Sequence, residues 1–230
     1  MNKKMLITGS TKRDGKALAL AFPEYDKVLH YNTSSQEALE LQKELDSKTL
    51  CLQADLTDEE AVTSLFETVK EKWGSIDVLI NSASNFIPSS FETMNDFNTI
   101  FDLNFKAPIL CAQKASTILR EGGSIININD ISVKRAIPRY FVHSLSKGAL
   151  SHATKALSQV LAPKIRVNEI ILGYTLKNEG VSLEKWEELY TKHSLTKRPC
   201  SLKELVAAVK FLIENTYITG ESLSLDGGFC

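Results

Sequence analysis

The first apolar run of the chain, residues 4–8, ends in Gly9-Ser10-Thr11-Lys12-Arg13-Asp14-Gly15, and a helical pattern starts at once. A strand that passes into a helix through so short a glycine turn constrains the fold more than any other feature. Gly9 permits a tight turn, and Gly15 lets the start of the helix approach the sheet. The amides of a helix start, together with the positive end of its dipole, favour phosphate oxygens. The turn therefore reads as a pyrophosphate site of a dinucleotide-binding unit, with Gly9, Thr11, Lys12, Arg13 and Gly15 as candidate contacts.

Six further β-rich runs follow, at residues 27–31, 49–53, 76–81, 124–129, 165–171 and 221–225. Most are continuously apolar, as in strands covered on both faces. Helical patterns fill the gaps. Thr57 and Glu60 read as a capping box before Ala61, Val62, Leu65, Phe66, Val69 and Trp73, with Gly74 as the stop. Ser201 and Glu204 read the same way before Leu205, Val209 and Leu212. A third helix carries the stripe Ala149, Leu150, Ala153, Ala156, Leu157, Val160 and Leu161. Strand–helix alternation with short links predicts a Rossmann-type, three-layer α/β fold with a doubly wound parallel sheet of about seven strands, in a single domain over residues 1–230. The least regular stretch, residues 173–198, is expected to form a lid.

The second strand ends in His30-Tyr31-Asn32-Thr33-Ser34. NAD-binding domains commonly carry a carboxylate here for the ribose 2′-hydroxyl. Asn32 stands in its place, and a 2′-phosphate would find donors in His30, Asn32, Thr33 and Ser34, and charge in Lys12 and Arg13. The residues thus favour NADPH over NADH, with merely solvated Lys12 and Arg13 as the competing reading. Asp55, followed by Leu56, could accept from an adenine amino group or help cap the next helix.

Several motifs in order resemble the short-chain dehydrogenase/reductase superfamily over nearly the whole chain. They are the turn TGSTKRDG, Asn81-Ser82-Ala83 after the fourth strand, Asn104 in a long helix, the segment 123–150, Tyr217-Ile218-Thr219-Gly220 and Leu225-Asp226-Gly227-Gly228. Within that superfamily the chain is similar to pteridine reductases and to dihydromonapterin/dihydrofolate reductases. Arg13 replaces the middle glycine of the turn, as in those enzymes. HYNTSS resembles their HYxRS, with Thr33 for the arginine. Asn81-Ser82-Ala83-Ser84-Asn85-Phe86 resembles NNASSF, and Asp130 stands where most of the superfamily has serine. The resemblance implies NADPH-dependent reduction of a dihydropterin or dihydrofolate to its tetrahydro form by a homotetramer, and a cytoplasmic location is expected from the unpaired cysteines. It also implies that Asn81, Ser82, Ala83, Lys147 and Gly173 contact the cofactor.

Reducing a ring C=N needs hydride on carbon and a proton on nitrogen. In the resembling family an Asp, a Tyr and a Lys serve this step. Asp130 and Lys147 are present, but His143 occupies the tyrosine position. Tyr140 is expected to lie before the helix, after Pro138. A neighbouring lysine favours the neutral imidazole, whereas a carboxylate favours the imidazolium. Asp130 and His143 therefore read as a proton-donating pair, with Lys147 on the nicotinamide ribose. A drifted histidine in a silent enzyme is the competing reading. Pro108 lacks an N–H for the Asn104 carbonyl, which is left free to hold a relay water or simply to mark a kink. Phe86 is expected to lie on the pterin ring, with Ser84 at its edge. Asp130, His143 and Tyr174 complete the expected substrate contacts. Trp186 and Tyr190 either cover the pocket or pack the lid.

The formal charge of −1 gives no footprint for nucleic acid or an anionic membrane. No segment has the length of a membrane span, and the N-terminus does not read as a signal peptide. Cys51, Cys111, Cys200 and Cys230 lack CxxC or zinc-ligand spacing and read as reduced thiols. His30, His152 and His193 have no metal-ligand spacing, so no metal is expected. A carbonyl reductase, for example on 3-oxoacyl thioesters, and a non-catalytic NADPH-binding protein are the alternative functions.

Overall fold

A computed structural model of the chain describes residues 2–45, 48–178 and 180–229. All seven expected strands form: β1 (Lys3–Thr8), β2 (Tyr25–Tyr31), β3 (Leu50–Gln53), β4 (Ile76–Asn81), β5 (Leu119–Asp130), β6 (Ile165–Leu172) and β7 (Ser222–Leu225). They build one sheet in the order β3-β2-β1-β4-β5-β6-β7, and every pair is parallel. The order reverses beside β1, so the first strand lies between β2 and β4 and a crevice opens at the carboxyl ends of the strands.

The continuous apolar runs follow from burial on both faces. Successive side chains point to opposite sides of a strand. Met5 and Ile7 of β1, with Ile80 and Ile126, pack under α1 (Arg13–Ala21) and α8 (Leu202–Glu214). Leu6, Leu79 and Ile125 pack on the other face against α3 (Glu59–Trp73) and α5 (Ala107–Ser116). Helices α2 (Ser35–Glu44), α4 (Phe97–Phe101), α6 (Phe141–Leu161) and α7 (Leu183–His193) complete the set. The architecture is the expected doubly wound Rossmann-type sheet.

Three local expectations change. The cap of α3 is Asp58, whose carboxylate accepts from the Glu60 N–H at 2.9 Å. Thr57 instead turns its hydroxyl to Asp55 Oδ1 at 2.7 Å. A carboxylate next to the first turn outcompetes the Thr57 box because it also complements the helix dipole. The Ser201–Glu204 box forms in full at the start of α8. The 173–198 stretch is more regular than expected, because Ser182 caps α7 through the Lys185 N–H. The helix carrying Asn104 runs through α4 and α5 with a π-helical turn, Asp102–Lys106, between them. That turn ends where Pro108 lacks an N–H, so the local bonding widens rather than breaks.

Arg166 ties α8 to the sheet. It is buried, and its guanidinium donates to Leu212 O and Ile213 O, both at 2.8 Å, and to Ile218 O at 3.2 Å. The carbonyls that end a helix lack partners within it, and this cation on β6 satisfies them.

Candidate functional site

A cleft of about 280 Å³ opens at the carboxyl ends of β1 and β4. Gly9, Thr11 and Gly15 form its floor, and Ser82, Ala83 and Ser84 form one wall. Gly9 is left-handed, with φ 63°. A Cβ on Gly9 would lie 2.8 Å from Ala83 Cα, and one on Gly15 would lie 2.2 Å from the Gly9 carbonyl oxygen. Thr8 Oγ1 accepts from the N–H groups of Ser82 and Ala83 at 3.0 and 3.1 Å, pinning the exit of β4 to that of β1. Bare backbone at a helix start is what a pyrophosphate requires, and the cleft fits a dinucleotide.

Asn32, Thr33, Ser34 and Leu56 line the far end. Ser34 caps α2 without spending its side chain on the cap. His30 is corrected. Its Nδ1 accepts from the Gly9 N–H at 3.1 Å and its Nε2 donates to Ala54 O at 3.0 Å. Burial pushes the pKa of the ring down. Both nitrogens are spent on shaping the turn, so none remains for a phosphate. Asp55 Oδ1 accepts from the N–H and hydroxyl of Thr57, which hold its carboxyl below the usual range. Asp55 thus shapes the turn before α3, whose cap is Asp58.

The two basic residues of the turn separate. Lys12 Nζ pairs with Glu37 of α2 at 2.9 Å. Arg13 adopts a left-handed backbone, φ 49°. Its guanidinium donates to Leu176 O at 2.9 Å, Lys177 O at 3.1 Å and Asn178 Oδ1 at 3.0 Å. The turn is therefore laced to the segment after β6. Asp14, which sequence reasoning passed over, also lines the cleft, and burial raises its carboxyl above the usual range.

The catalytic candidates converge beyond the β4 and β5 ends. His143 Nε2 lies 2.7 Å from Asp130 Oδ2. The His143 side chain is 2% exposed and that of Asp130 29%, so the carboxylate is the accessible member of the pair. Asp130 Oδ1 also accepts from the N–H and the hydroxyl of Ser132. Burial alone would raise the Asp130 carboxyl. The His143 hydrogen bond and the Lys147 charge outweigh it and hold the group far below the usual carboxylate range. Lys147 is buried and donates to Ile128 O at 3.2 Å. Burial lowers its pKa, opposed by Asp130 and Glu169.

Asn104 sits behind the histidine. Its Oδ1 accepts from the Asn85 N–H at 2.8 Å, and its Nδ2 lies 3.0 Å from Asn85 O and 3.1 Å from His143 Nδ1. His143 Nδ1 is also 3.1 Å from Asn85 O. The imidazole can therefore accept from Asn104 at Nδ1 when that nitrogen is bare and donate to Asn85 O when it is protonated, with Nε2 facing Asp130 in both states.

Tyr140 caps α6 without entering it, as expected. Ser89 stitches the loop after β4 to this helix start, through Ser89 N–H to Arg139 O and Phe141 N–H to Ser89 O, both at 2.9 Å. That contact stacks Phe86 on Tyr140 at 3.9 Å and sets it edge-on to His143 at 4.7 Å. Ser84 is exposed beside them. Gly173 continues the sheet by donating to Leu225 O at 3.0 Å. Tyr174 packs edge-on against Trp186 at 5.3 Å, and Trp186 meets Tyr190 at 6.0 Å. Tyr174 lines a second cavity of about 200 Å³, with Ser194, Arg198 and Asp226, apart from the glycine-turn cleft. Trp186 is buried, so its role here is packing.

Besides Asp14, the sequence reading missed Asn129 and Glu169. The signal was present, since Glu169 places a carboxylate inside β6, a strand buried along its whole length.

The family described as enoyl-(acyl carrier protein) reductase matches residues 15–230. The crystal structure of FolM alternative dihydrofolate reductase 1 from Brucella canis, complexed with NADP, is 32% identical with a TM-score of 0.92 and covers 99% of this chain and 94% of its own. Dihydromonapterin reductase of Klebsiella pneumoniae is 29% identical over 234 residues, covering 98% of this chain and 96% of its own. A 3alpha-hydroxysteroid dehydrogenase of Mediterraneibacter gnavus is 32% identical over 243 residues, covering 98% of this chain and 96% of its own. The fold, the glycine turn and these matches agree, and the chain belongs to the short-chain dehydrogenase/reductase family.

Proposed function

We propose that the protein is an NADPH-dependent reductase that converts a dihydropterin or dihydrofolate ring to its tetrahydro form. The observation that carries this reading is the Asp130–His143 pair at 2.7 Å, with its carboxylate on the accessible side. A carbonyl reductase needs a donor to a developing alkoxide. A ring C=N needs a proton on nitrogen, which an imidazolium can supply through the carboxylate beside it. The resemblance to a dihydromonapterin reductase and to an NADP-bound alternative dihydrofolate reductase supports the same substrate class.

In this reading Gly9, Thr11, Gly15, Ser82 and Ala83 hold the pyrophosphate side of the cofactor, with Asn81 behind them. Asn32, Thr33, Ser34 and Lys12 take the ribose phosphate, and Leu56 takes the adenine side. Lys147 and Gly173 take the nicotinamide end. Bound NADPH supplies the hydride. One proton passes from the His143 imidazolium Nε2 to the Asp130 carboxylate and on to the ring nitrogen, leaving the imidazole neutral and the carboxylate ionised, so hydride and proton together saturate one C=N bond. Asn104 and Asn85 keep the imidazole facing Asp130 throughout, and Phe86 offers an aromatic face to the flat heterocycle. We further propose a cytoplasmic homotetramer, consistent with the exposed apolar rings of Phe211 and Tyr217.

NADPH oxidation, followed by its absorbance, tests the reading with a 7,8-dihydropterin, dihydrofolate and an acetoacetyl thioester. Turnover on either heterocycle is expected. Turnover on the thioester alone would favour carbonyl reduction, and NADPH binding without turnover would favour a non-catalytic role.

A further inference from the structure

Glu169 lies in the middle of β6 and is 0% exposed. Its Oε1 accepts from Ser151 Oγ at 2.5 Å and Ser222 Oγ at 2.6 Å, and its Oε2 accepts from Asn129 Nδ2 at 2.7 Å. These partners are neutral donors from α6, β7 and β5. Among the described residues no ion pair reaches this carboxylate. An isolated buried carboxylate is costly, and hydrogen bonds alone do not require one, because a glutamine could satisfy most of the same partners. What only the carboxylate brings is charge.

The bonds place that charge behind the site. Asn129 spends its amide completely. Its Nδ2 donates to Glu169 and to Lys147 O at 3.1 Å, and its Oδ1 accepts from the Asp130 N–H at 3.0 Å. Glu169 thus anchors a side chain that fixes both the Asp130 peptide and the Lys147 turn of α6. The charged and titratable groups around His143 are then Asp130 from β5, Lys147 from α6 and, behind them, Glu169 from β6. Asn85 and Asn104, the other polar neighbours, are neutral. With His143 protonated, two carboxylates face two cations and the buried set is neutral. Without Glu169 the same state would carry a net positive charge in a poorly solvated site.

We infer that Glu169 is a positioning residue that keeps the proton on His143, by anchoring Asn129 and by balancing the charge of Lys147 and His143. The inference rests on the proton-donating reading of the pair, but its test does not need turnover. The His143 ring resonances are followed by NMR through a pH titration of the protein and of Glu169→Gln. The midpoint is expected to fall by about one pH unit, a tenfold loss of proton affinity. Ser222→Ala, which keeps the charge and removes a hydrogen bond, is expected to titrate like the unsubstituted protein even where it is less stable. In the unsubstituted protein the Glu169 carboxyl carbon is expected to report an ionised group at neutral pH, a measurement that stands if Glu169→Gln does not fold. An unmoved midpoint in Glu169→Gln, an equal shift in Ser222→Ala, or a protonated Glu169 would overturn the inference. Absence of turnover on every heterocycle, with the midpoint shifted as expected, would instead overturn the reductase reading alone.

Discussion

The imidazole of His143 lies 2.7 Å from the carboxylate of Asp130 and is almost wholly enclosed behind it. In this pair the histidine does not reach outward as a free acid. The carboxylate does, and the ring supports it from within, steadied by Asn104 on its other nitrogen. A replacement that could have been a drifted residue therefore sits in a network in which both ring nitrogens have partners.

Acid stability should report that network. The Asp130 carboxyl is held far below its usual range, so on acidification the unfolded chain takes up this proton before the folded one. The Asp130 contribution is complete above the usual carboxylate range, about pH 4, and is lost as pH falls below it. Urea midpoints between pH 3 and 6 should fall less steeply on acidification for Asp130→Asn than for the unsubstituted protein.

The Arg13 bonds tie the glycine turn to the chain after β6. Arg13→Ala should raise amide exchange around residues 174–178 by about fivefold, as about 1 kcal/mol of local closure is lost. Mass-spectrometric hydrogen exchange checks this, and unchanged exchange there would mean the contact does not hold the segment.

Arg166 satisfies the last carbonyls of α8 from inside the core. Arg166→Met should lower the unfolding free energy by about 2–4 kcal/mol, because buried carbonyls lose charged donors that a thioether cannot replace. Equilibrium denaturation measures the loss. A change below about 0.5 kcal/mol would contradict the assigned role.

The sheet was legible because its strands announce themselves as apolar runs between turn signals. Burial on both faces writes Met5, Leu6 and Ile7, or Leu79 and Ile80, as unbroken hydrophobic sequence. The glycine turn was legible for a similar reason, since steric demand at Gly9 and Gly15 admits little else. His30 was misread because donor capacity can be read from a residue type, whereas the partners that consume it, Gly9 and Ala54, cannot. Thr57 lost its cap to the adjacent Asp58 for the same kind of reason. Glu169 is not legible from motif positions, because a carboxylate in a buried strand belongs to none of them.

Phe86 stacks on Tyr140 and covers the edge of His143. Phe86→Ala should raise the KM for a dihydropterin by about five- to tenfold, the loss of one aromatic contact of about 1 kcal/mol, with a smaller change in kcat. Steady-state kinetics at saturating NADPH provide the comparison. A fall in kcat with KM unchanged would place Phe86 outside the ring site.

The pH dependence of dihydropterin reduction in the unsubstituted protein and in His143→Gln tests the proton-donating pair most directly. The account predicts that kcat falls by about 10²-fold in His143→Gln, within the usual contribution of a general acid, and that its alkaline limb disappears. Equal turnover with an unchanged pH profile would contradict it.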